Sequence, residues 1–135
     1  MEYINSDLTE KIIRLLFEVY NSLGYGLREK FYERAIMEEA NRNGIVCSHQ
    51  VSFPVEYKGN IIGYGRCDIV FYGKILVELK LGNKLIKKDF DQINEYLKKL
   101  GLSVGLLVLF SPGGVVVRRI INFSKLDEKQ TKQIE

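Results

Sequence analysis

One heptapeptide constrains this chain more than any other: Ile75-Leu76-Val77-Glu78-Leu79-Lys80-Leu81 is apolar except for two opposite charges. A continuous apolar run of this length, next to Gly73 on one side and Gly82-Asn83 on the other, reads as a strand covered on both faces. Such a strand belongs inside a sheet with helices packed over it. The flanking segments supply them. Ile12, Leu16, Val19 and Leu23 recur at helical spacing behind an Asp7/Glu10 pair that resembles a capping box, and Gly24 and Gly26 close that helix. A second helix is expected from about Leu27 to Asn43, with Phe31, Ala35 and Ile36 inward and Gly44 as its stop. Phe90, Ile93, Leu97 and Leu100 make one stripe of a third, from about Ile86 to Leu100.

Between and after the helices the pattern turns to strands. Val46 to Tyr57, Ile61 to Tyr64 running into Cys67 to Tyr72, Val104 to Phe110 and Val115 to Phe123 are each bounded by turn residues. The expected order is helix, helix, three or four strands, helix, two strands. This is a single α/β domain with a mixed central sheet flanked by helices, two of which precede the sheet. It should occupy residues 1–123, with a polar and frayed tail over 124–135.

Composition excludes several classes. With 46% hydrophobic and 27% charged residues the 135-residue chain is neither disordered nor fibrous. Its longest apolar run, Val104 to Phe110, is far short of the roughly twenty residues that span a bilayer. No basic, apolar leader opens the sequence, so the cytoplasm is the expected location and no membrane partner is expected. Two cysteines, Cys47 and Cys67, are too few for a zinc site or a disulfide framework and read as reduced structural thiols. His49 is the sole histidine and reads as structural, and no phosphate-cradling glycine loop is present. The net charge of +3 is modest, but Lys80, Lys84, Lys87, Lys88, Lys98 and Lys99 fall within twenty residues. They form either a region that meets phosphates, Lys84 and Lys87 foremost, or a solvated helix face.

Glu78 and Lys80 share one face of their strand. Left unpaired, either charge would cost several kcal/mol to bury. They could neutralise each other as an ion pair at the strand end. Asp68, ten residues upstream and one hairpin away, changes the balance, because the hairpin can bring a second carboxylate beside Glu78. Two adjacent carboxylates repel, and a divalent cation such as Mg²⁺ relieves that repulsion while leaving room for water and phosphate oxygens. A neighbouring lysine can orient the attacking water and stabilise charge on phosphorus.

Asp68, nine intervening residues and then Glu78-Leu79-Lys80 resemble the PD-(D/E)xK nuclease signature, with Cys67 in place of its proline. Gly26-Leu27-Arg28-Glu29-Lys30-Phe31-Tyr32 is similar to the pattern that names the GxxExxY family of small PD-(D/E)xK-like proteins. Gln92-Ile93-Asn94-Glu95-Tyr96 resembles the QxxxY motif of RecB-type nuclease domains, and Gly65-Arg66-Cys67-Asp68 resembles their GxxD. The likeness spans about residues 8 to 123.

The resemblance implies a helix-borne carboxylate, Glu29, as a third metal ligand beside Asp68 and Glu78, unless that glutamate faces solvent. Tyr32 lies on the same helix face and either lines the pocket or packs. Gln92 and Tyr96, beside the apolar stripe, either face the site or lie on the helix surface; the Gln92 amide suits a phosphate or a metal-bound water. The expected activity is a Mg²⁺- or Mn²⁺-dependent nuclease acting on DNA, guided by structure more than by base sequence, with a homodimer or a partner protein adding selectivity. The alternative is a nucleic-acid-binding or scaffold protein that keeps the fold without turnover.

Overall fold

Both faces of the heptapeptide are covered, as its apolar run demands. The computed structural model describes residues 6–125. Two helices, α1 (Ser6–Leu23) and α2 (Glu29–Arg42), precede a long hairpin of β1 (Cys47–Tyr57) and β2 (Asn60–Phe71). Then come β3 (Ile75–Leu81), α3 (Lys87–Leu100), β4 (Val104–Ser111), β5 (Gly114–Ile121) and a 3-10 turn over Phe123–Lys125. Among the described residues the five strands lie in sequence order, and only the β3–β4 pair, joined by the α3 crossover, is parallel. The fold is therefore α/β with a mixed five-stranded sheet and two helices ahead of it.

One face of β3 sends Ile75, Val77 and Leu79 into a core with Ile12, Leu16, Tyr32 and Ile36 of α1 and α2. Leu76, on the other face, packs with Ile93 and Leu97 of α3. The helical stripes thus do what their spacing predicts, with two exceptions. Phe31, expected inside, is 44% exposed and lies under the Lys30 ammonium, while Tyr32 and Glu33 turn inward instead. Leu23, the last residue of α1, is exposed as well.

Boundaries moved for local reasons. α1 already includes Ser6, whose carbonyl accepts from the Thr9 hydroxyl, so Asp7 lies within the first turn and is not the cap. α2 begins at Glu29, two residues later than expected, because Gly24 and Gly26 both hold positive φ and keep the chain out of a helix there. At α3 the Asp89 carboxylate accepts from the Ile86 N–H and sets the start. β2 is one strand across Gly63 and Gly65. β5 ends at Ile121, and the 3-10 turn follows. Of the polar tail, residues 126–135 lie outside the described residues.

Candidate metal and phosphodiester site

The site lies where two strands part. β2 and β3 pair only at Phe71↔Ile75, Val70↔Leu76 and Ile69↔Val77. At the next position the ladder is replaced by side chains. The Glu78 carboxylate accepts from the Asp68 backbone N–H at 2.9 Å, and the Asp68 carboxylate accepts from the Leu79 N–H at 2.8 Å. Each carboxylate caps the other strand, so the two acids are fixed beside each other by backbone donors. Buried backbone groups require partners. Here the partners are the two carboxylates.

The third acid comes from α2. Oxygens of Glu29, Glu33 and Asp68 all lie within 4.8 Å of one another. Glu29 is the first residue of its helix, and Glu33 lies one turn on along the same side. Glu29 is accessible, whereas Glu33 is 7% exposed and its Oε2 lies 2.8 Å from His49 Nε2 on β1. Glu78 stands beside Asp68, outside that trio, and is 3% exposed.

Burial, with Asp68 and then Glu33 as charged neighbours, pushes the Glu29 carboxyl up to about 7. Burial and then the Asp68 charge push Glu78 up to about 8. Burial also raises Asp68, although the Leu79 N–H and Lys80 hold it back. Cys67, just before it, is driven up to about 12 by burial and the same two carboxylates, so it is a protonated, inert thiol. Without a cation, Glu29 and Glu78 hold protons near neutral pH. A divalent cation fits this donor set: hard oxygen ligands, surplus negative charge and one face open to solvent.

Lys80 is neither paired with Glu78 nor loose. Its ammonium donates to Gln92 Oε1 of α3 at 2.6 Å, which settles the ion-pair alternative against that pairing. The amide holds the lysine while its remaining protons stay available to an anion. One helical turn on, Tyr96 packs its ring on Phe53 of β1, with centroids 5.2 Å apart. Its hydroxyl is raised chiefly by burial, then by Glu78 and Asp68, and Gln92 bonds it.

Three residues expected near substrate stand apart from the carboxylates. Tyr32 is fully buried: its hydroxyl donates to the Gly24 carbonyl at 2.5 Å and accepts from the Leu27 N–H at 3.2 Å, while its ring meets Phe110 edge-on. It locks the turn that delivers Glu29, and does not line a pocket. Lys84 is exposed in the loop before α3, and Lys87 is exposed and paired with Asp91 at 2.8 Å. Neither has a contact to the carboxylates. A cavity of about 620 Å³ between α1 and the end of α2, lined by Lys11, Arg14, Glu18 and Glu39 among others, contains none of the site residues.

The PD-(D/E)XK nuclease superfamily model matches residues 6–121, all but the ends of the chain. The chain belongs to that superfamily. A solved structure described as "Crystal structure of SSO0001" is 17% identical with a TM-score of 0.49, over 94% of this chain and 82% of that one. No curated protein matches.

Membership gives the superfamily signature a physical meaning in this chain. Asp68 and the Glu78-Leu79-Lys80 segment are the residues that close the diverging strands. The glycine of Gly26-Leu27-Arg28-Glu29 has φ 121°, a conformation that side chains resist. Gly65 is required for a different reason: a Cβ there would lie 2.4 Å from Phe53. Glu33 was not singled out by the sequence reading, and His49, read as structural, lies against it. The four-residue spacing from Glu29 to Glu33 was the available signal for the first. Nothing local marks His49, which reaches the site only through the β1–β2 register.

Proposed function

We propose that this superfamily member is a Mg²⁺- or Mn²⁺-dependent nuclease that hydrolyses phosphodiester bonds in DNA, and that it falls in the GxxExxY branch. The observation that carries this is the convergence of Glu29, Glu33 and Asp68 within 4.8 Å, beside a lysine already held by an amide. Asp68 and Glu78 are assigned as principal metal ligands, Glu29 as a further one, and Glu33 joins them from its place in the trio. A bound divalent cation would lower the pKa of its water and neutralise charge on the phosphate.

The chain's own groups do the rest. Lys80, steadied by Gln92, orients the attacking water and offsets charge developing on the phosphate oxygens. The nearby carboxylates accept the proton the water gives up. The water oxygen bonds to phosphorus, one P–O ester bond breaks, and the departing alkoxide is protonated from solvent. Glu29 remains accessible, so the scissile group arrives from solvent, as a polymer must. The working unit is the single domain of residues 1–123 in the cytoplasm, with a homodimer or partner protein supplying selectivity.

The test is cleavage of single-stranded, duplex and branched DNA and of RNA, with Mg²⁺, Mn²⁺ or chelator, beside Asp68→Ala and Lys80→Ala. Cleavage should require the metal and vanish in both variants. Equal cleavage by the variants sinks the site assignment. Metal-independent binding with no cleavage of any substrate points to a non-catalytic binding protein.

A further inference from the structure

Beyond Asp68 the second strand leaves the sheet. β3 pairs with nothing in β2 past Ile69, yet β1 and β2 stay paired from Cys47↔Phe71 through Val55↔Gly63 and, after a one-residue register shift between Val55 and Glu56, on to Tyr57↔Asn60. Val51 to Arg66 is therefore a two-stranded arm rooted at the catalytic aspartate. Gln50, the residue whose register position matches Asp68, is skipped from pairing and left-handed, with φ 49°. An isolated two-stranded ribbon is marginal in water. One face of this one is tethered: Phe53 lies over Gly65 and against Tyr96 of α3.

The other face is bare. Tyr64 is 68% exposed and sits across from the exposed Pro54, and Arg66 is exposed across from the exposed Ser52. Near the tip Ile61 and Ile62 are exposed as well, as is Tyr57, under the Lys58 ammonium at 5.3 Å. Glu56 is the only acid between Val51 and Arg66, against Lys58 and Arg66. Resting on the nuclease reading, we propose that this face is the track of the substrate strand, with Arg66 on a backbone phosphate and Tyr64 stacked on an unpaired base.

Residues 64, 66 and 68 alternate onto one side of a continuous strand. At strand rise, Arg66 and Tyr64 lie about 7 Å and about 13 Å along the chain from Asp68, a reach of a few nucleotides. A polyanion suits the arm's charge. A second copy adding to the sheet edge suits it less, because Pro54 removes a donor from the middle of the edge strand. Stacking needs a free base face, so the arm selects single-stranded or branched substrate over closed duplex.

The experiment measures binding of labelled single-stranded and duplex DNA in chelator by anisotropy, with metal-dependent cleavage in parallel. Wild type, Tyr64→Ala, Arg66→Gln and the distant Lys74→Gln are compared, with melting temperatures confirming folding. Tyr64→Ala should weaken single-strand binding by about fivefold to a hundredfold and leave duplex binding nearly unchanged. Arg66→Gln should weaken both and reduce the salt slope by about one. Lys74→Gln should match wild type. Unchanged binding in both arm variants, with metal-dependent cleavage intact, overturns the arm and spares the nuclease. Wild type that neither binds nor cuts nucleic acid overturns both. A concentration-dependent dimer abolished by Tyr64→Ala assigns the face to a second copy and also overturns the proposal.

Discussion

The two edges of β3 are treated in opposite ways. On one, β4 pairs with it at all seven positions, from Ile75↔Val104 to Leu81↔Phe110. On the other, β2 pairs at three and then departs. The closed edge is lined by side chains such as Leu106 and Val108, both fully buried. At the open edge, Asp68 and Glu78 satisfy the backbone donors that the lost ladder would strand. Seven paired positions give rigidity with no chemistry. Ending the pairing early lets charge into the interior, because the carboxylates fill hydrogen-bonding positions and leave further oxygens for a ligand.

Asp68→Asn breaks the open edge most sharply. The amide keeps an acceptor for the Leu79 N–H but removes the negative charge, so the fold should survive while cleavage drops at least about a hundredfold. Circular dichroism and turnover on the same sample check both halves. A folded variant with normal turnover would deny Asp68 any part in the chemistry. On the closed edge the expectation reverses. Leu106→Ala leaves a cavity and should cost about 2–5 kcal/mol of stability in denaturant melts, with cleavage per folded molecule retained. Equal damage to activity and stability there would mean that the two edges are not separable.

Legibility in the sequence followed the same divide. The apolar heptapeptide, the helix stripes and the Asp68, Glu78 and Lys80 positions are local patterns, and α/β architecture followed from them. Tyr32 was ambiguous because its hydroxyl partners, Gly24 and Leu27, are backbone groups in a turn whose shape depends on glycines at positive φ. β2 read as Ile61 to Tyr64 running into Cys67 to Tyr72, with Gly65 between them, yet it is one strand in which Phe53 from the partner strand fills the space Gly65 leaves. His49 beside Glu33 is a product of hairpin register alone. Whatever depended on which strand stops pairing, and where, was invisible.

Gly65→Ala tests how the open edge is supported. Its new methyl would meet the Phe53 ring at 2.4 Å, and Phe53 is itself held against Tyr96. Overpacking of this kind should cost about 1–3 kcal/mol and shift the arm. Adding Phe53→Leu should recover part of the loss. No change in melting temperature on Gly65→Ala would show that the arm is free of α3.

The smallest effect is a dependence of stability on pH and metal. Glu29 and Glu78 have folded-state pKa values raised to about 7 and about 8, above the 4.5 of the unfolded chain. Below about 4.5 both states hold these protons and neither group penalises folding. As pH rises from there, the unfolded chain ionises first, so the contribution of these groups to stability is lost progressively and is gone once pH exceeds the folded values. Metal-free protein should therefore lose melting temperature between about pH 5 and pH 8, while Glu78→Gln flattens the slope. Protons and cation compete for the same oxygens, so the stabilisation by Mg²⁺ or Mn²⁺ should grow over that interval. A metal-induced shift that is constant from pH 5 to pH 8 would place the cation away from the open edge of β3.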